Sequence, residues 1–422
     1  VISGDDDEAV ELTVEGLDPR GRGVAAGAGG VRAHVPFVLP GERIRARVWR
    51  GTAGAAAEGD LLEVISPSPD RVPPGCPLYG TCGGCQLQHL AYDRQLGWKT
   101  DTVRAQLGPL GLADRVAPCV GSPRAYGYRS KITPHHRRPR PDRPLRIGFL
   151  RAGRRHEVID VERCPLATDG INARLPALRA EAAARAATRP RGVTLLLRET
   201  ASGVTTDPDA RVVETVGDLA LGFFAREFFQ NNPFLLPALV EAVVDAAASG
   251  GAPALVDTYS GSGLFALAAA RRFADVVGVE VSPAAVAAAR ENAARNGLGH
   301  VHFVAADAAR IFAGLPRAGA DSAVIVDPPR AGCGAPFLEQ LVAFAPRTVV
   351  YVSCNPEALA RDLGALAASG YAVREVQPFD MFPQTRHIEC VAVLDRCPDG
   401  RPRDGGDGQA PANPPREPGV PA

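Results

Sequence analysis

ALVDTYSGSGLFALAAA, residues 254–270, is the stretch that decides the fold. A short apolar run ends in an acid, Asp257, a glycine-bearing turn follows, and an alanine-rich helical pattern comes next. That order reads as strand, tight turn, helix. Towards the C-terminus it recurs, with DVVGVE, HVHFVAAD, SAVIVD and RTVVYVSC as buried strands and PAAVAAARENAARNG and NPEALARDLGALAASG as helices. Strands alternating with helices at this spacing predict an α/β unit, a mostly parallel sheet covered on both faces. After Gly370 the runs YAVREVQPFDM and HIECVAVL follow with no helix between them, so the sheet is expected to end in an antiparallel pair.

Towards the N-terminus the texture changes. Residues 10–66 carry short alternating runs between turn signals, VELTVEGL, GRGVAAGAGGVRAHVPFVLPGERIRARVWR and DLLEVISPSPD, which predict a small β-barrel. The segment VRAHVPFVLPGERIRARV after a glycine-rich hairpin resembles the TRAM domain, an OB-like RNA-binding barrel. A barrel used only for packing is the plainer reading. Between Arg124 and Arg155 there are eleven Lys or Arg against one acid, Asp142, with Tyr126, Tyr128, His135 and His136 interleaved. Cations clamp phosphates and aromatic faces stack on unpaired bases, so the stretch reads as an RNA-contact surface, with a solvated charged face as the alternative.

A chain of 422 residues is too long for one ordinary core. The expected division is a barrel over 8–66, a mixed α+β central domain over 67–225, a Rossmann-like domain over 226–397 and a disordered tail over 398–422, rich in Gly, Pro and charge. Zero formal charge removes any global attraction to polyanions, so RNA contact must be local. No run reaches the length of a membrane span, and the acidic start lacks a secretory pattern, so a cytoplasmic location is the default expectation; a monomer is expected as well. In a reducing compartment nine cysteines favour metal binding or catalysis over disulfides.

Gly261, Gly263 and Ala266 satisfy a dinucleotide-binding pattern, with Glu280 at a suitable distance. Asp257 argues against it. A carboxylate just before the glycines is an awkward neighbour for a pyrophosphate, whereas S-adenosylmethionine carries a sulfonium and an ammonium and no phosphate. Glu280 is then placed to accept ribose hydroxyls, and Asp307 to reach the adenine amino group. In the plainer readings Asp257 caps the following helix and Asp307 is a turn residue.

Asp257, Glu280, Asp307, Asp327 and Cys354 all fall at carboxyl ends of predicted parallel strands, the edge where such sheets bind ligands. In VIVDPPRAGC paired prolines stiffen the turn after Asp327; such loops also occur in methyltransferases acting on base amino groups. YVSCNP adds Cys354, a nucleophile or merely a buried thiol. Methylating an amino group needs no thiolate. Methylating carbon 5 of a pyrimidine does, because that carbon is inert until a thiolate adds to carbon 6, and a base must then remove the carbon-5 proton. Glu389 in RHIECVAVL is the candidate base, with pairing to Arg386 as its plainer role.

Through FFQNNPFL, DTYSGSGLF, VVGVE, VDPPRAG, YVSCNP and QTRHIECVAVL, most of residues 10–396 resembles the TRAM-containing RNA uracil-5-methyltransferases. The resemblance implies Gln230, Tyr259, Glu280 and Asp327 as S-adenosylmethionine contacts, Cys354 as nucleophile and Glu389 as base, acting on a uridine of ribosomal RNA or, second, transfer RNA. Leu264 departs from it, since many members have a polar, cofactor-touching residue there. The resemblance further implies a 4Fe-4S cluster on Cys76, Cys82 and Cys85 of CPLYGTCGGC with Cys164 as fourth ligand. Four thiolates also suit zinc, although structural zinc prefers two close cysteine pairs and this set has one. The competing functions are an amino-directed base methyltransferase, a metal-stabilised RNA-binding protein with a decayed cofactor site, and a NAD enzyme.

Overall fold

The computed structural model describes residues 9–49, 57–139, 144–188, 191–306, 311, 312, 315 and 317–398. Asp307, residues 140–143 of the basic stretch and the tail beyond Pro398 lie outside the described residues.

Alternating burial along β1 (Ala9–Leu17), β2 (Arg22–Ala26), β3 (Arg32–Pro36), β4 (Arg43–Trp49) and β5 (Ala57–Ser66) turns Leu12, Val14, Ala25, Val35, Ile44 and Ala46 into one interior. The order β1-β2-β3-β5-β4 closes on itself into an OB-like barrel, which leaves no free edge to pair with another chain. Glu42, fully buried, fastens the barrel to the segment that leaves it. Its carboxylate accepts from the amides of Leu39 and Ser68 and from the guanidinium of Arg71, the partners a buried charge requires.

After the cysteine loop comes α1 (Tyr92–Leu107), then short strands β6 (Lys131–Ile132), β7 (His135–His136), β8 (Gly148–Arg151) and β9 (Arg154–Asp160). Next are α2 (Asp169–Arg185), β10 (Val193–Thr194), β11 (Leu197–Thr200), β12 (Gly203–Thr205) and the hairpin β13 (Arg211–Val216) with β14 (Leu219–Phe224). Two small sheets result, β10-β7-β8-β9 and β12-β11-β6. Helix α2 closes their core by setting Ile171, Leu175 and Leu178 against Ile132 and Leu197.

The Rossmann-like unit runs α3 (Leu236–Ala248), β15 (Ala254–Thr258), α4 (Leu264–Ala269), β16 (Asp275–Glu280), α5 (Pro283–Arg295), β17 (Val301–Ala305), β18 (Ser322–Val326), α6 (Ala335–Phe344), β19 (Thr348–Ser353), α7 (Pro356–Ala368), β20 (Tyr371–Phe379) and β21 (Glu389–Arg396). Its seven strands lie in the order β17-β16-β15-β18-β19-β21-β20. The first five are parallel, and β21 runs antiparallel between β19 and β20, as the missing helix after Gly370 implied. Every residue of β18 and β19 is buried, because helices cover both faces; hence the unbroken apolar runs. Helix α1 contributes Val103 and Leu107 to the core on one face, beside Leu363 and Val376, so the seven-stranded sheet is packed partly by residues far upstream of it. Among the described residues no helix is long and apolar enough to cross a membrane.

Candidate active site

The chain leaves β15 towards β16 on one side and β18 on the other, which opens a crevice at their carboxyl ends. The glycine loop fills its floor. Tyr259, Gly261 and Gly263 all hold positive φ (+58°, +53° and +94°), and a Cβ on Gly263 would lie 2.9 Å from the Phe303 ring, so the tight turn demands glycine there. Glu280, at the end of β16, accepts from the amide of Gly261 at 3.1 Å and of Ser282 at 2.9 Å, which joins the two loops of the crevice. Asn292 of α5 supports the same turn by donating to the Ser262 carbonyl, a role the sequence did not suggest.

Asp257 is fully buried in β15. One carboxylate oxygen takes the plainer role, accepting from the Ala266 amide at the start of α4 at 2.9 Å. The other makes no hydrogen bond within the chain, and the same holds for Ser260 Oγ and Gln230 Oε1, all three buried. Burial raises Asp257 far above the ordinary carboxylate range, reinforced by Asp327 and Glu280. Buried acceptors and acids gathered without a cation fit a ligand that brings donors and positive charge, as S-adenosylmethionine does, and would repel a pyrophosphate. Leu264 packs half-buried against the core and offers no polar contact.

Cys354 and Glu389 are brought together by register. The last ladder pair between antiparallel β19 and β21 is Ser353 with Cys390, so the next residue on one strand and the preceding one on the other, Cys354 and Glu389, meet at the sheet edge. Asn355 shapes the turn: its side chain caps α7 by accepting from the Glu357 amide and donates at 3.1 Å to the carbonyl of Arg330, in the loop that carries Asp327. That loop is also held by buried Asp362, which accepts from the Cys333 amide at 2.7 Å and from the Tyr351 hydroxyl at 2.6 Å. Tyr259 stacks obliquely on Phe337 beneath it.

The charges of the four groups are coupled. Burial raises the Cys354 thiol to about 11, with Glu389 and Asp327 adding to the rise and Arg330 opposing it. Burial also lifts Asp327 to about 7 and pushes Glu389 well above the usual range, helped by Asp327. Arg386 does not take the plainer role of pairing with Glu389: burial lowers its pKa, Arg330, Arg20 and Arg22 add to the lowering, and Asp18 opposes it. The crevice is thus acid-rich at its floor and cationic at its rim. Phe228, two residues before Gln230, is 77% exposed, an aromatic face in solvent.

The rim continues into a cavity of ≈ 930 Å³ between barrel, cysteine loop and central sheets. Neither Cys354 nor Glu389 lines it; Arg386 forms the link, and Arg20, Arg22, Arg129, Arg151 and Arg163 make its walls basic. Of the basic stretch, Arg129, Arg151 and Arg154 face this cavity, whereas Tyr128 is fully buried. Cys76, Cys82, Cys85 and Cys164 face it as well. Burial raises Cys82, Cys85 and Cys164; Cys164 and Cys76 add to the rise at Cys82, all three other thiols to that at Cys85, and Cys76 to that at Cys164. Among the described residues no three His, Cys, Asp or Glu groups are drawn together tightly enough to hold a metal ion. Four thiols converging on one cavity have the donor chemistry of an iron-sulfur site all the same.

A family model described as tRNA (Uracil-5-)-methyltransferase matches residues 217–397. A tRNA (uracil(54)-C(5))-methyltransferase of Schizosaccharomyces pombe is 38% identical over 92% of this chain and 78% of its own length. A 23S rRNA (uracil(1939)-C(5))-methyltransferase of Alkalilimnicola ehrlichii is 33% identical over 92% of this chain and 97% of its own length. The solved structure of Pyrococcus abyssi tRNA (uracil-54, C5)-methyltransferase in complex with S-adenosyl-L-homocysteine matches with TM-score 0.71 and 25% identity, covering 91% of this chain and 100% of that one.

Proposed function

Because the chain belongs to the family of S-adenosylmethionine-dependent RNA uracil-5-methyltransferases, we propose that it methylates carbon 5 of a uridine in folded RNA through a covalent Cys354–uracil adduct. The observation that carries this reading is the register that sets Cys354 beside Glu389 at the sheet edge. An amino-directed methyltransferase would need neither side chain.

The partly exposed Cys354 thiol loses its proton to solvent, and the thiolate adds to carbon 6 of the uracil. The displaced π electrons make carbon 5 nucleophilic, and carbon 5 takes the methyl group. S-adenosylmethionine supplies that methyl on a sulfonium and brings positive charge to the acid-rich crevice, which favours the thiolate. Glu389 then removes the carbon-5 proton, the double bond re-forms and the Cys354 thiolate leaves. A carboxylate with a raised pKa is the stronger base for this step. Asp257, Gln230, Tyr259, Glu280, Gly261 and Gly263 hold the cofactor, Asp307 is assigned to the adenine, and Asp327 with Gln230 serves the uracil edge. RNA phosphates lie against the arginines of the rim.

Cys76, Cys82, Cys85 and Cys164 would hold a 4Fe-4S cluster, which would cross-link the loop to residue 164. The 38% identity to an enzyme named for tRNA uracil-54 favours transfer RNA over the ribosomal RNA expected from the barrel and cysteines. Incubating the protein with S-adenosylmethionine and 5-fluorouridine-substituted total RNA tests the reading, because fluorine does not leave as a cation and the adduct stalls. The trapped RNA identifies the substrate, and an active preparation that forms no adduct refutes the mechanism.

A further inference from the structure

We propose that Lys99 of α1, seconded by Gln95, is a positioning residue for Glu389, acting through the segment 380–388. This rests on the assignment of Glu389 as the base. The ladder to β19 ends at Ser353–Cys390, so Glu389 is pinned by sheet pairing on one side only, to Phe379. Its place relative to Cys354 therefore depends on how the chain enters β21.

That entry is an irregular segment that is nonetheless buried, with Asp380, Met381, Gln384, Thr385 and Ile388 shielded from solvent. A buried loop must find partners for its polar groups outside itself. Lys99, itself fully buried, supplies three: its ammonium pairs with Asp380 and donates to the carbonyls of Phe382 at 3.3 Å and His387 at 2.9 Å. Three N–H donors thus meet three acceptors, one at the start of the segment and one two residues before Glu389. Gln95, one turn earlier on the same helix, exchanges two hydrogen bonds with Gln384 at 3.0 Å each. Gln384 holds a left-handed backbone, φ +68°, which a residue other than glycine keeps only when its surroundings impose it. The amides of Gln86 and Leu87 grip its carbonyl, and the Tyr128 hydroxyl takes that of Pro383. The helix is a clamp from outside the catalytic sheet on the strand that starts with the base.

The expected consequence is specific to the last step. Without the clamp, Cys354 still adds and methyl still transfers, but Glu389 is misplaced and the methylated adduct persists. The test compares parent, Glu389→Gln, Gln95→Leu and the double variant Lys99→Met/Asp380→Asn, which leaves no unpaired buried charge. Each is incubated with S-adenosylmethionine and either uridine-containing or 5-fluorouridine-containing tRNA transcript, and covalent protein–RNA species are resolved under denaturing conditions. With 5-fluorouridine RNA all four should form the adduct to within about threefold, because release is blocked whatever the base does. With uridine RNA, Glu389→Gln and the double variant should accumulate adduct about tenfold or more above parent, and Gln95→Leu about threefold. The clamp is refuted if the double variant releases product like parent. It is refuted equally if the double variant loses 5-fluorouridine trapping and cofactor binding together, which is general damage. If Glu389→Gln itself accumulates nothing, the base assignment falls and the clamp with it.

Discussion

The two halves of the crevice are built by different means. The cofactor half is short-range: Asp257, the glycine turn and Ala266 lie within ten residues of one another, and Glu280 reaches back to Gly261 from the next strand. The half that carries Cys354 and Glu389 joins residues that meet only because β21 runs antiparallel, and its approach is gripped from α1, nearly three hundred positions upstream. A local motif makes its own geometry, whereas Cys354 and Glu389, the proposed nucleophile and base, are brought together by register and depend on whatever holds the strand ends. Substitutions should therefore separate cofactor binding from chemistry.

The largest effect is expected at Cys354, the proposed nucleophile. Cys354→Ala should lower turnover by about 10⁴-fold or more while leaving the S-adenosylmethionine dissociation constant within about threefold, read by methyl incorporation and by calorimetry. A shared loss of binding would merge the two halves. Gly263→Val attacks the other side: a side chain at φ +94° against Phe303 should weaken cofactor binding by about tenfold to hundredfold, with turnover restored at saturating cofactor. Failure of that rescue would mean that the glycine turn also sets Cys354.

Cys85→Ser sharpens the comparison from a third direction. Iron and acid-labile sulfide should disappear from protein purified without oxygen, and the thermal midpoint should fall by several degrees. The residues next to Cys85, Gln86 and Leu87, hold Gln384, so adduct release should slow while cofactor affinity stays put. Protein that never contains iron would remove the cluster from the account.

Asp327 gives a pH signature. Its pKa is raised from 3.8 to about 7 in the folded chain, so between those values the native state holds a proton that the unfolded state has released. Stability from this group falls as pH rises through that window, and the penalty is complete above it. Asp327→Asn should melt with the parent near pH 4 and a few degrees above it at pH 8 in the absence of cofactor; a lower midpoint at pH 8 would reveal a stabilising partner for the carboxylate. The smallest effect is expected at the rim, where Arg20→Ala should weaken RNA binding modestly and reduce the slope of log affinity against log salt by about one.

Much of the site is legible in the order of residues alone. Asp257, Glu280, Asp327 and Cys354 each end a run apolar enough to be a doubly covered strand, and a parallel sheet sends all such ends to one edge. Cys354 and Asn355 also announce their turn, because Asn-Pro after a strand caps a helix. Other features leave no periodic trace. Asn292 is one polar residue on an alanine-rich helix, and Lys99 reads in sequence as an ordinary exposed lysine of an amphipathic pattern until its burial is seen. The plainer role for Glu389, pairing with Arg386 three residues earlier, fails for the same reason: Arg386 sits mainly among other arginines.

By itself, then, the chain's order of residues determined the strand-turn-helix alternation, the barrel, the chemistry of the crevice floor and the reaction class, because each depends on neighbours within one element or on a rule that all parallel strands obey. Only the tertiary structure decided that β21 inserts between β19 and β20, that Glu389 thereby meets Cys354, and that a buried ammonium from α1 restrains the approach. Those facts rest on long-range pairing and on the need of every buried polar group for a partner, and neither is expressed in the spacing of residues along the chain.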